Sequence, residues 1–240
     1  MTKSRYEMME WTPDKVEALW DYASRDPDNF FAYQQGDKIV SYFANELRGV
    51  DRIMDFGCGS GFLIDHLLNA GYRVAGADLS TDSLKQASEK YGVRKGFLGA
   101  HHTSESLSRG ERWPVIMLIE MIEHLDNDAL AEVLACLRQL VTPDGVILIT
   151  TPNDENLPKN HVFCPETGKV FHRWQHVRSW TVESLTAHLS EHGFSSVRVK
   201  TVKIKSKPMD RLRNRIRWMQ GSRKADHSPN LTGVFRPCDS

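Results

Sequence analysis

A chain of 240 residues, 40% of them hydrophobic, suits one α/β domain with additions and an ordinary soluble core. No apolar run follows the basic residues of the N-terminus, and no stretch approaches the roughly 18 apolar residues of a membrane span, so neither a signal peptide nor a spanning helix is expected. The four cysteines, Cys58, Cys136, Cys164 and Cys238, are widely spaced, which fits reduced thiols and a cytoplasmic location.

In chain order, Thr12-Pro13-Asp14 opens a helix to about residue 23, with proline at the first helical position and Val16, Leu19 and Trp20 at helical spacing. An aromatic segment, Phe30, Phe31 and Tyr33, precedes a second helix expected over 37–48, with Ile39, Val40, Phe43 and Leu47 on one face and Gly49 as its stop. From residue 51 strands and helices alternate: strand 51–56, helix 61–70, strand 72–77, a helix capped by Ser80, and a short third strand near 93–98. The apolar run 113–119 reads as a buried parallel strand, Asp126 caps a helix to Leu140, and Asp144 to Asn153 is a further strand closed by Pro152. Thr181 caps another helix, ended by Gly193, and strands near 194–202 and 231–236 complete the sheet. The pattern predicts an α/β fold: a doubly wound, seven-stranded, mostly parallel sheet with N-terminal helices and an insertion acting as a lid.

The stretch Asp55-Phe56-Gly57-Cys58-Gly59-Ser60-Gly61 joins the first strand to its helix. Gly57, Gly59 and Gly61 allow a sharp turn and a close approach of backbone to ligand. Asp78 ends the next strand, where its carboxylate suits two ribose hydroxyls. A dinucleotide site wants a glycine three residues after the second one, to hold a pyrophosphate at the helix start, and that position is Phe62. Asp55 before the turn repels a diphosphate and suits a cation. An adenosine with a cationic tail satisfies both. Gly-x-Gly-x-Gly with Asp78, followed by the strand leading into Glu120-Met121-Ile122-Glu123-His124, resembles the class I S-adenosyl-L-methionine (SAM) dependent methyltransferases, from about Phe30 to Phe194. That resemblance implies a Rossmann-like fold and SAM as cofactor, with Asp55, Gly57, Cys58, Gly59, Gly61, Asp78, Leu79, Glu120 and Met121 lining it. In many such proteins an N-terminal segment folds over the cofactor; simple helix-to-helix packing of Phe30, Phe31 and Tyr33 is the alternative. The acid that family members often carry after the third strand, against adenine, is replaced here by Gly99-Ala100-His101-His102.

Methyl transfer to an alcohol needs positioning and help in removing a proton. Glu120, Glu123 and His124 follow the fourth strand at i, i+3 and i+4, and His124, with an unperturbed pKa of roughly 6.5, is the natural candidate base. Capping glutamates and a packed histidine are the bland alternative. With His176 downstream, Glu120-x-x-Glu123-His124 is similar to the metal site of small-RNA 3′-terminal 2′-O-methyltransferases, which implies two glutamates and two histidines holding a divalent ion. The residues expected after the second histidine are instead Val177, Arg178 and Ser179. The same Glu-x-x-Glu-His element resembles ubiquinone-biosynthesis O-methyltransferases, whose substrate is a phenol. A competing zinc site has His161, Cys164, His172 and His176 as ligands, with ligand-like spacings; sharing His176, the two metal sites exclude each other.

Formal net charge is zero, yet residues 203–226 carry nine basic side chains against Asp210 and Asp226, a net +7 that leaves −7 elsewhere. Met209, Leu212, Ile216 and Met219 would make one stripe of a helix over 208–220, flanked by Arg211, Arg213, Arg215 and Arg217. The arginines suit an anionic acceptor, and a solvated face is the alternative. The expected organisation is an N-terminal helical cap over 1–48, a SAM-binding core over 49–202 with a substrate loop at 152–178, and a basic insertion with the final strand over 203–240. The function read from these features is O-methylation of a small-molecule or glycan-like acceptor. RNA 2′-O-methylation with a metal, and a non-catalytic SAM-binding module, are the alternatives.

Overall fold

The computed structural model describes residues 6–204 and 230–238. The predicted helix over 208–220 and most of the basic segment lie outside the described residues. In chain order the elements are α1 (Pro13–Ala23), α2 (Phe31–Tyr42), β1 (Arg52–Phe56), α3 (Phe62–Asn69), β2 (Arg73–Asp78), α4 (Thr81–Tyr91), β3 (Phe97–His102), α5 (Thr103–Ser108) and β4 (Trp113–Ile119). They continue as α6 (Asn127–Leu140), β5 (Val141–Pro152), β6 (His161–Cys164), β7 (Lys169–His172), α7 (Val182–Glu191), β8 (Phe194–Val202) and β9 (Asn230–Pro237).

Seven strands form one sheet in the order β3-β2-β1-β4-β5-β9-β8. The first five are parallel, while β9 runs antiparallel to both its neighbours. The order reverses between β1 and β4, and at such a switch point the carboxyl ends of adjacent strands open a crevice. The central strands are apolar because helices cover both faces. One core gathers Ile116, Leu118, Leu134, Leu137, Ile147 and Phe194. The other gathers Phe43, Ile53, Leu63, Leu67, Val115 and Leu148.

Local chemistry sets most boundaries. The side chains of Ser80 and Asp126 accept from the backbone N–H of Ser83 and Ala129 to cap α4 and α6, and Thr181 with Ser184 makes a reciprocal capping box on α7. Thr12, expected as a cap, makes no such side-chain bond. Four expectations need correction. The second helix spans Phe31–Tyr42 rather than 37–48, with Gly36 inside it: that glycine lets α2 approach α3, where a Cβ would meet the His66 ring at 2.1 Å. β3 starts four residues later than expected, so Gly99 and Ala100 lie within the strand rather than after it. Helix α5 was not anticipated. The substrate loop contains a β-hairpin, pairing His161 with His172 and Cys164 with Lys169, with Gly168 at φ 69° in its turn. No helix among the described residues is long and apolar enough to cross a membrane.

Leu134 on α6 is fully buried, whereas Val93 after α4 is 99% exposed. Leu134→Ala should lower unfolding free energy by about 2–5 kcal/mol in urea denaturation, and Val93→Ala by less than about 0.5 kcal/mol. Equal losses would contradict this placement of the core.

Candidate active site

Two groups of residues meet beyond the carboxyl ends of β1, β2, β4 and β5. The first is the glycine turn. Gly57, Gly59 and Gly61 all have left-handed backbones, at φ 80°, 50° and 87°. A Cβ on Gly57 would meet Met121 Cγ at 2.9 Å, and one on Gly61 would meet the Tyr91 ring at 2.5 Å. Beside Gly59 there is open space, the side on which a ligand has room. Asp78 Oδ2 accepts from Gly59 N at 2.8 Å and Oδ1 from Ser80 N at 2.9 Å, so this carboxylate braces the turn. The Cys58 thiol is buried, and Gly76 makes room for it: a Cβ there would meet its sulfur at 2.6 Å. Leu79, by contrast, is exposed beside Asp78. Asp55 is buried beneath the turn, and desolvation, reinforced by the Asp78 charge, raises its pKa to about 8.

The second group lies around Glu120 to His124. Glu120 takes a left-handed backbone, φ 50°, at the end of β4, and its Oε1 accepts from Thr150 Oγ1 at 2.8 Å and Asn230 Nδ2 at 3.4 Å. Burial pushes its pKa up to about 7. Glu123, 1% exposed, accepts from Thr151 Oγ1 through Oε2 while Oε1 has no hydrogen-bond partner; burial, then the Glu120 charge, raises its pKa well above the usual range. His124 stacks edge-on against Trp20 at 5.0 Å and His176 at 4.8 Å. Burial, with the His176 charge second, pushes its pKa down to about 3. It is therefore held neutral, and the proton-acceptor role suggested by a free imidazole pKa is one its surroundings disfavour.

The insertion supplies the other wall. His176 Nδ1 lies 2.5 Å from Glu155 Oε2, and His172 Nε2 lies 3.3 Å from Glu155 Oε1. The rings of His172 and His176 stack at 4.5 Å. Burial alone would raise the Glu155 carboxyl, but His172 and His176 outweigh it and hold it well below the ordinary range. Val177 N donates to Glu123 O, and Gln175 Nε2 donates to His124 O, stitching this wall to the core. Trp20 Nε1 in turn donates to Gln175 Oε1. Aromatic contacts run on from Trp20 to Phe30 and from Phe30 and Tyr33 to Phe62, the first residue of α3. The N-terminal helices thus touch both halves of the site. A surface cavity lined by Asn45, Val50, Pro114 and Asp144 sits at the opposite, amino-terminal edge of the sheet and includes none of these residues.

The ligand sets read from sequence are regrouped. Glu123, His124 and His176 bring donor atoms within 4.8 Å of one another, as do Glu155, His172 and His176; Glu120 belongs to neither group. The zinc quartet is not assembled among the described residues: His161 and His172 face each other at the base of the hairpin, while Cys164 is at its far end opposite Lys169. Cys164-Pro165-Glu166-Thr167-Gly168 is hairpin-turn chemistry, with apolar Val162, Phe163, Val170 and Phe171 on either side. Glu155, Trp20 and Gln175 were not foreseen. Nothing in their spacing announces them, although Glu155 follows the proline that ends β5, where functional loops of open α/β sheets begin.

The chain belongs to the methyltransferase domain family, whose model matches residues 27–199. The ubiquinone biosynthesis O-methyltransferase of Dinoroseobacter shibae is 31% identical over 163 residues, 64% of this chain and 63% of that protein. The protein of the same name from Pasteurella multocida is 32% identical over 130 residues, 48% of this chain and 52% of that one. The chain therefore spans less than two thirds of the length of these relatives. A solved S-adenosylmethionine-dependent methyltransferase from Clostridium acetobutylicum shares the fold, with a TM-score of 0.61 at 14% identity over 94% of this chain and 99% of that one.

The raised Asp55 pKa has a stability consequence. Its neutral form is favoured on folding, so stability is full below the unfolded value of 3.8 and falls as pH rises toward about 8. Asp55→Asn should melt higher than the parent at neutral pH, with the gap closing in acid. A lower melting temperature at neutral pH would contradict it.

Proposed function

We propose that the protein is a SAM-dependent O-methyltransferase acting on a hydroxyl of a small-molecule acceptor. The observation that carries this reading is the juxtaposition of the glycine turn with the Glu/His cluster through Met121, which packs under Gly57 three residues before His124. The O-methyltransferase relatives, named for ubiquinone biosynthesis, favour oxygen as the methylated atom, and the resemblance of Glu120-x-x-Glu123-His124 adds a phenol as the acceptor class.

SAM would lay its adenosine along the turn, with its ribose hydroxyls donating to Asp78. Each Asp78 oxygen accepts one backbone N–H and retains a second lone pair. Leu79 offers exposed apolar surface for adenine. Open space at Gly59 admits the ligand, and Asp55, ionising as the cation arrives, complements the positive end. The acceptor oxygen attacks the methyl carbon in line as the carbon–sulfur bond breaks, so the chain's task is to orient the acceptor and receive its proton. The Glu120, Glu123, His124 and His176 side chains would border the acceptor.

Metal-assisted transfer, as proposed for an RNA 2′-hydroxyl, is the second reading. Its support is the Glu123, His124 and His176 group, in which Glu123 Oε1 and His124 Nδ1 are buried without hydrogen-bond partners. A carboxylate with two imidazoles fits a divalent ion, which when bound would polarise the acceptor hydroxyl. Activity that survives a chelator, with no metal by elemental analysis, removes this version. If the basic 203–226 segment draws an anionic acceptor, rising salt should weaken its binding.

Radiolabelled methyl transfer from SAM to a panel of catechols tests the main reading. Asp78→Ala should weaken SAM binding by about 1.5–3 kcal/mol, the scale of charge-assisted hydrogen bonds. Between about pH 5.5 and 7, SAM affinity should rise with pH, and binding should release protons as Asp55 ionises. Unaltered affinity in Asp78→Ala, or affinity falling over that range, would overturn the placement of the cofactor.

A further inference from the structure

The hydrogen bonds around Glu155 determine which nitrogen of each neighbouring histidine carries a proton. His172 Nδ1 accepts from the backbone N–H of Trp174 at 3.3 Å and of His176 at 3.1 Å, so its proton resides on Nε2, which lies 3.3 Å from Glu155 Oε1 but outside hydrogen-bond geometry. Asn160 Nδ2 donates to the same Oε1 at 2.8 Å. The neighbouring imidazoles outweigh burial and keep the Glu155 carboxyl ionised, and an ionised carboxylate can only accept, so the 2.5 Å contact with Oε2 places a proton on His176 Nδ1. His176 therefore keeps an unprotonated Nε2. In this tautomer the His172 nitrogen nearest Glu155 holds a proton and has no lone pair for a metal.

We propose that Glu155 is a positioning residue that fixes His176 as its Nδ1–H tautomer and presents the Nε2 lone pair to the acceptor hydroxyl, with His172 bracing both. This assignment rests on the methyl-transfer reading above. The acceptor O–H proton passes to His176 Nε2 while the acceptor oxygen bonds to the methyl carbon. The electrons of the breaking carbon–sulfur bond stay on sulfur, turning the sulfonium into a neutral thioether. The resulting imidazolium rests against the Glu155 carboxylate until solvent takes the proton. His124 has no such partner: its Nε2 is 3.9 Å from Glu123 Oε1, too long for a hydrogen bond, and its Nδ1 is buried without one. A proton placed there would leave a buried cation unpaired.

The hairpin makes the assembly conditional on the folded insertion. Glu155 and Asn160 precede β6, His172 ends β7, and Arg173 N donates to Asn160 O to close the base. Asp154 and Gln175, which flank the pair, both hold left-handed backbones, at φ 45° and 57°. With Glu120 they are the non-glycine residues of positive φ among the described residues, the kind of strain that surrounding contacts sustain at working sites.

Nitrogen-resolved histidine NMR of the full chain tests the assignment without any acceptor. His176 should appear as the Nδ1–H tautomer and His172 as Nε2–H. In Glu155→Gln the His176 signature should be lost, kcat for methyl transfer from SAM to catechol should fall about 100-fold or more, and the Kd for SAM should stay within about twofold. Glu155→Asp should recover part of kcat. His176 found as Nε2–H in the unaltered protein, or Glu155→Gln retaining full kcat, overturns the proposal. If the unaltered protein binds SAM but methylates no catechol, the acceptor reading fails separately, and the tautomer measurement still decides the role of Glu155.

Discussion

Beyond the last ladder bond between β1 and β2, a few hydrogen bonds hold the ligand-facing edge in shape. Ala77 O receives the backbone N–H of both Gly57, at 2.7 Å, and Cys58, at 3.1 Å. Asp78 then takes Gly59 with one oxygen and Ser80 with the other, and Ser80 itself caps α4. One carboxylate thus ties the glycine turn to the next helix. Because the turn is braced from below, its outer face needs no side chain to support it, and Gly59 borders open space. Burial beneath the turn, with the Asp78 charge second, drives Asp55 toward its neutral form. A cationic ligand relieves that pressure and a diphosphate aggravates it.

The chemical half of the site is assembled from two parts that are distant in sequence. β4 delivers Glu120, Glu123 and His124; the insertion after β5 delivers Glu155, His172 and His176. Val177 N and the Gln175 side chain clasp the second part to the first, and Trp20 from α1 closes over both. Burying three carboxyls and three imidazoles together is unfavourable by itself, as the raised pKa values of Glu120 and Glu123 and the lowered one of His124 record. The packed sheet beneath tolerates that cost, and ionisable groups so perturbed by burial and by one another are candidates for a working site.

The sheet was legible because buried parallel strands are apolar runs, as in 113–119, and because Ser80, Asp126 and Thr181 punctuate the helices with side-chain caps. The glycine turn was legible because left-handed backbone favours glycine, and the place of Asp78 at the end of β2 because an apolar run precedes it. The insertion was not. Its hairpin was hidden by a cysteine and histidines whose spacings suggest metal ligands, yet strand pairing separates Cys164 from His172 by the hairpin's length. His124 was visible as an imidazole following β4, but its enclosure by Trp20 and His176 was not, since those residues come from other segments. Gly36 illustrates the same limit: its place inside α2 depends on the His66 ring of another helix.

The most direct measurement is calorimetric titration of the full chain with SAM and, separately, with NAD, comparing the parent with Gly59→Val. A braced turn that faces a cationic nucleoside predicts that SAM binds at one site per chain, that NAD does not compete, and that a branched side chain at Gly59 abolishes SAM binding without unfolding the protein. NAD binding tighter than SAM, or SAM binding unchanged in a folded Gly59→Val variant, would contradict it.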